Sequence, residues 1–193
     1  MQKIVFVFLS FLFFSAACED KPVPPAEDAY QHSPGSPLPA GLGGGAWFWG
    51  HSGPLSYYDH DGNHVGSATE AGRQYRFTET NGQGRLAFEQ YLGMRNASNC
   101  VTEIYTRKQG TVKFEGGHQF TFFPVEGSFK TVKSGTSASC SKETTEREAT
   151  GEDLAPVTYR YQLLAVDGQT LLYVYDQADV HFTNPLFVYQ RAG

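Results

Sequence analysis

From Ala46 onward the chain alternates apolar and polar residues over short runs and almost never at helical spacing. Tyr75 and Phe77 fall on one side of their run, with Arg76 and Thr78 on the other. Leu86 with Phe88, Val112 with Phe114, and Tyr159 with Tyr161 and Leu163 repeat the pattern. A period of two puts such residues on one face of a β-strand. The runs predict strands near 46–51, 54–60, 64–69, 73–79, 84–92, 100–108, 111–115, 118–124, 127–133, 156–166, 170–176 and 185–191. Asp61-Gly62, Asn81-Gly82, Gly116-Gly117 and Asp167-Gly168 stand at the joints. Such pairs supply the positive φ of tight hairpin turns at little cost, so the strands are expected to form a meander. The polar stretch 141–156 breaks the alternation and reads as a long exposed loop or a short surface helix.

A sheet with one apolar face must close on itself or pack on another sheet. About eight to ten strands with short connections favour closure, which also removes exposed edges. The expected fold is all-β, an antiparallel up-and-down β-barrel. It is preceded by a signal peptide and a disordered tether.

The front of the chain has a different character. Residues 1–17 open with Lys3, run apolar from Ile4 to Phe14, and finish in Ser15, Ala16 and Ala17. That is the layout of a secretory signal peptide. With Cys18 directly at the cleavage point, the segment resembles a bacterial lipoprotein signal. In that family the cysteine is lipidated, which implies Cys18 as the anchor. The acidic pair Glu19-Asp20 resembles a surface-export signal. Ordinary secretion with an incidental cysteine is the other reading.

Residues 18–45 would then be the lipidated Cys and a Pro- and Gly-rich tether, and residues 46–193 the folded domain. Such a tether lacks the apolar surface to offset its ordering entropy. Of the three cysteines, Cys18 leaves Cys100 and Cys140 as a pair. An oxidising compartment would join them as a disulfide. Two reduced buried thiols are the alternative.

Net charge is −5, and removing Lys3 with the signal lowers it by one to −6. An acidic body excludes nucleic acid as a natural partner and leaves membrane attachment to the acyl chains alone. Nothing in the composition indicates an oligomeric state.

The domain opens with Gly45-Ala46-Trp47 and ends with Arg191 in "PLFVYQRAG". The Gly-x-Trp and the late Arg resemble those of lipocalins (calycins). In that family the Trp closes one end of the barrel and the Arg packs across it. The resemblance implies a barrel-closing role for Gly45, Trp47 and Arg191, and a cup that binds a small hydrophobic ligand. Trp49, Tyr75, Phe77, Phe88, Phe122, Tyr161 and Tyr173 are the expected lining. Equally, such rings would simply fill a barrel that is otherwise hollow.

Catalytic signatures are missing: there is no Gly-x-Ser-x-Gly, P-loop, His-Glu-x-x-His or dinucleotide fingerprint. No cofactor is implied, and binding is expected rather than catalysis. "YYDHDGNHVG" at 57–66 gathers Asp59, His60, Asp61, Asn63 and His64. Its spacing fails the EF-hand pattern. It reads chiefly as a hairpin turn, with His60 and His64 left as a weak metal pair. "DQADVH", Asp176 to His181, reads as a polar loop, with Asp179 and His181 the alternative ligand pair. Two binding functions therefore stand ahead of a third reading, an enzyme on the barrel. One is a lipid-anchored envelope carrier of a small hydrophobic ligand, in the outer membrane on its periplasmic or surface side. The other is an interaction lipoprotein with a filled barrel that contacts carbohydrate or protein.

Overall fold

The computed structural model describes residues 26–50, 69–116 and 118–191. Among the described residues, nine strands form one antiparallel sheet: β1 (Ala46–Gly50), β2 (Thr69–Thr80), β3 (Gln83–Arg95), β4 (Cys100–Glu115), β5 (Gln119–Gly135), β6 (Glu143–Glu148), β7 (Val157–Val166), β8 (Gln169–Asp176) and β9 (Pro185–Arg191). Neighbours run β4-β3-β2-β1-β9-β8-β7-β5, and β5 pairs again with β4. The sheet therefore closes in a ring, with β6 added to β5 outside it. Two of the expected turns have the backbone their residues suit. Asn81 and Gly82 sit at φ 53° and 75°, and Asp167 and Gly168 at 50° and 77°. The Asp61-Gly62 turn and most of the strands expected over 54–69 fall in residues 51–68, outside the described residues.

Three expectations need correction. The strands predicted at 100–108 and 111–115 are one, as are those at 118–124 and 127–133. The gaps expected at 109–110 and 125–126 are not strand ends, because the ladder continues past both, with a bulge between Gln109 and Gly110. A Cβ at Gly110 would lie 2.0 Å from the Phe123 carbonyl oxygen, so only glycine admits that close approach. Past the bulge, β4 and β5 leave the ring. β7 pairs with β5 only over Gln119–Phe122, whereas β6 pairs with it over Ser128–Lys133. The far ends of β3, β4 and β5, edged by β6, thus project as an extension.

Second, part of the stretch expected as loop or helix is strand β6, followed by a 3-10 turn over Gly151–Leu154. Its sequence, ETTERE, has no apolar residue, which hid it from any hydrophobic pattern. Cross-strand pairs hold it instead: Lys133 to Glu143 at 3.1 Å and Lys130 to Glu146 at 2.7 Å. Charged side chains along a free edge also discourage pairing with another sheet.

Third, residues 26–45, expected within the tether, are built into the fold. A short helix, α1 (Ala26–His32), lies on the outer face, where Tyr30 donates to Glu126 at 3.1 Å and carries Arg85 at 4.5 Å. The chain then passes between β3 and β4 at Ser36. Ser36 N–H donates to Val112 O (3.2 Å), while Ser36 O accepts from Gly84 N–H (2.8 Å). Its hydroxyl accepts from Phe114 N–H. Beyond it, Leu42 is fully buried in the ring. A proline- and glycine-rich segment orders here because strand groups satisfy its backbone and Leu42 contributes burial.

Inside the ring, Leu42, Trp47, Tyr75, Phe77, Leu86, Val112, Phe120, Tyr161, Leu172, Val174 and Tyr189 form the packed core. The rings meet mostly edge-on or tilted, as at Phe77–Phe120 (6.1 Å) and Phe120–Tyr161 (5.8 Å). Such arrangements add to the burial itself. The extension has a different staple: Cys100, opening β4, is bonded to Cys140, with Cα atoms 5.2 Å apart.

Candidate functional site

One end of the ring is sealed by the residues that flank it in sequence. Trp47 opens β1, is fully buried, and donates its indole N–H to Leu42 O at 2.8 Å. Arg191 closes β9, pairs with Trp47 in register, and lies 4.8 Å over its ring. Its guanidinium donates to Gly43 O at 3.0 Å and also to Gly41 O. A planar cation suits an indole face and two carbonyls together. Gly45 stands just before β1 with open space where a side chain would be, so the seal itself does not need glycine there.

At the other end the ring is less full. Tyr75 and Tyr189 stack with centroids 4.8 Å apart. Burial pushes both phenols up, Tyr189 to about 12, so both stay protonated at neutral pH. The buried Tyr189 hydroxyl makes no hydrogen bond of good geometry; Tyr75 and Arg73 are its polar neighbours. Arg73 sits 4.0 Å over the Phe187 ring and 5.8 Å from Phe88, and Trp49 meets Phe187 edge-on. Beside Arg73 is a cavity of about 150 Å³. Tyr75, Phe88 and Phe122 line it, together with Phe120, Tyr159 and Val157. That volume is small beside the ~300–1,000 Å³ of sites that enclose a drug-sized molecule.

The remaining expected lining is dispersed. Phe77 and Tyr161 belong to the packed core, and Trp49 stands half-buried beside the rim. Tyr173 requires a correction, because on β8 Leu172 and Val174 turn inward, leaving Tyr173 on the outer face with Tyr175. Both faces of that strand are apolar, so alternation alone could not choose between them. Arg73 was missed although its signal was present: it lies two residues before Tyr75 and therefore on the inward face.

The larger concavity is outside the ring, on the outer face of the extension. A groove of about 680 Å³ runs along β4, β5 and β6, lined by Tyr105, Arg107, Ser128, Phe129, Lys130, Val132, Glu146, Arg147 and Glu148. A shallower depression of about 160 Å³ shares Tyr105 and Arg107 and reaches Tyr91, Gln74 and Phe48. The Tyr91 and Tyr105 rings lie 5.4 Å apart. Both hydroxyls donate to Glu103, at 3.3 and 3.4 Å. Burial and then the Glu103 charge hold the Tyr105 phenol above its ordinary pKa. Arg107 pairs with Glu89 at 3.5 Å and Lys130 with Glu146 at 2.7 Å. The Lys130 hydrogen bond draws the Glu146 carboxyl below the usual range. This floor is therefore aromatic and hydrogen-bonding, and its cations Arg107, Lys130 and Arg147 each pair with a carboxylate.

Asp179, of the second possible ligand pair, is occupied within its own loop. Its carboxylate accepts from Thr183 N–H, Thr183 OH and Asn184 N–H at 2.8–3.2 Å. Cys18, His60 and His64 lie outside the described residues. Among the described residues, no group of three or more His, Cys, Asp or Glu is placed to hold a metal ion. No protein-family model, curated protein or solved structure matches this chain.

Proposed function

We propose that this chain is a lipid-anchored envelope protein, held through Cys18, whose lipocalin-like up-and-down barrel is filled and whose outer groove contacts a neutral carbohydrate chain. The carrying observation is the groove of about 680 Å³ with Tyr105 on its floor. Sugar rings stack on aromatic faces and hydrogen-bond to charged side chains on either side. Arg107, Lys130 and Arg147 stand with Glu146 and Glu148 along it, and each cation pairs with a carboxylate, so the groove offers donors and acceptors without a strong field for a charged polymer. The packed core counts against carriage of a lipid-sized ligand, whose place in the barrel is already taken by Tyr75, Phe77, Phe120 and Tyr161. The barrel reading is supported by the nearly sequential strand order of the ring and by Arg191 lying over Trp47.

The test is binding to a panel of neutral oligosaccharides, such as cello-, manno-, xylo- and malto-hexaose, by the protein and by Tyr105→Ala. A hexaose that binds the parent protein should bind the variant about tenfold more weakly, a loss of about 1.4 kcal/mol. Equal binding by the variant, or no binding to any neutral oligosaccharide, sinks the proposal. For the anchor, Cys18→Ser should move the protein to the soluble fraction.

A further inference from the structure

We propose that the small cavity beside Arg73, inside the ring and away from the Trp47–Arg191 seal, is a site for a compact carboxylate with an apolar body. This site lies inside the ring and is independent of the outer groove.

Three observations carry it. The first is charge. The side chains lining the cavity include two cations, Arg73 and Lys108, and no carboxylate. Lys108 directs its amine away, to Asp153 O and the Phe129 ring. Among the described residues, Arg73 is thus the one charged head left to serve the cavity, and no carboxylate pairs with it. Arg73 is half-buried among these rings, where a charge partly withdrawn from water gains from a counter-charge.

The second is geometry. The Arg73 guanidinium carbon lies 4.0 Å from the centre of the Phe187 ring, with Phe88 further off at 5.8 Å. A guanidinium held against a ring still has a planar N–H fork, which can grip a carboxylate with two parallel hydrogen bonds. The Tyr189 hydroxyl beside it is buried without a good hydrogen bond, so a further polar group is still unsatisfied at this end of the core.

The third is size. The walls away from Arg73 are Tyr75, Phe88, Phe120, Phe122 and Tyr159, around about 150 Å³. An apolar protein cavity of roughly that volume accepts a benzene-sized molecule. Val157, at the rim, is 38% exposed, so the cavity communicates with solvent. Long acyl chains are excluded, since the packed core begins directly below at Tyr75 and Phe120.

The experiment titrates the purified full-length protein with benzoate, benzamide and decanoate, following Trp49 fluorescence and the Arg73 side-chain N–H resonance by NMR. Benzoate should bind saturably and shift the Arg73 resonance. Benzamide, of the same shape without the charge, should bind at least tenfold more weakly, and decanoate no better than benzamide. Arg73→Gln should weaken benzoate at least tenfold and leave benzamide unchanged. Val157→Trp, a rim substitution that fills the cavity without entering the core, should abolish benzoate binding with the melting temperature retained. Equal affinity for benzoate and benzamide overturns the proposal, as does no saturable benzoate binding. So does benzoate affinity unchanged in Arg73→Gln or Val157→Trp, or decanoate binding as tightly as benzoate.

Discussion

The ring and the extension are made from the same strands, yet they are held together by different physics. Below the bulge at Gly110, β4 and β5 contribute Val112, Phe114, Phe120 and Phe122 to the core inside the ring. Above it, the same strands belong to an open sheet whose edge, β6, is exposed throughout. An open sheet buries little on either face, so the hydrophobic term that holds the ring is weak there. The extension is secured by the Cys100–Cys140 bond and by charge pairs such as Lys130–Glu146. A region that buries little needs covalent or polar restraint if its shape is to be kept. The outer groove is formed by that region, so its geometry depends on those restraints.

Breaking the ring should have the largest effect. Trp47→Ala removes a fully buried indole, the donor to Leu42 O and the surface under Arg191. A loss of about 3–5 kcal/mol is expected from the emptied volume. In urea denaturation the whole domain should unfold earlier in one transition. A variant within 1 kcal/mol of the parent, on the scale of a tolerated core swap, would mean that the seal is not part of the cooperative core.

Removing the staple comes next. Cys100→Ser with Cys140→Ser frees a loop closed over a sequence separation of 40, worth up to about 4 kcal/mol in the chain-entropy model. Here the loss should be regional. Hydrogen exchange should speed up in β6 and at the start of β4, while amides of β8 and β9 keep most of their protection. Uniform acceleration across both regions would show that ring and extension are one cooperative unit, and the contrast drawn above would fail.

The two regions also differed in how far they could be read from the sequence. Ring elements such as β2 and β8 were legible because alternation and positive-φ turns reinforce each other, as at Asn81-Gly82 and Asp167-Gly168. The cysteine pair was legible from redox logic. Tyr173 was misplaced because β8 is apolar on both faces, so its pattern has no phase. Gly110 looked like an ending because a bulge and a turn ask for the same residue. β6 left no trace, since its stability comes from partners in β5 and not from its own residues. Leu42 was overlooked because one apolar residue among glycines has no periodicity. Of the cavity lining, Tyr75, Phe88 and Phe122 were readable by parity, and Arg73 was readable by the same rule. The groove was not, because Tyr105, Arg107, Lys130 and Glu146 meet only through register, on the face that patterning assigns to solvent.

The smallest expected effect is a titration at the junction of β6 with the 3-10 turn. Arg147 donates to both Asp153 oxygens at 2.6 and 3.2 Å and lies over Phe129 at 4.1 Å. Asp153 also accepts from Thr150 N–H at 3.2 Å. The Arg147 bonds first, and the Thr150 bond after them, lower the Asp153 carboxyl from 3.8 to about 2. A folded-state pKa below the unfolded one means a contribution that is complete above the unfolded value and disappears as pH falls through the folded one. The stability difference between the parent and Asp153→Asn should therefore be flat from neutral pH down to about 4, then shrink to nothing near pH 2. Added salt should reduce it, because the pair is exposed and screened. The difference should also be confined to the extension, visible as exchange in β6 and absent from β8. A difference that persists unchanged at pH 2 would show that Asp153 acts through its shape and not its charge. The extension would then owe less to polar restraint than its exposure implies.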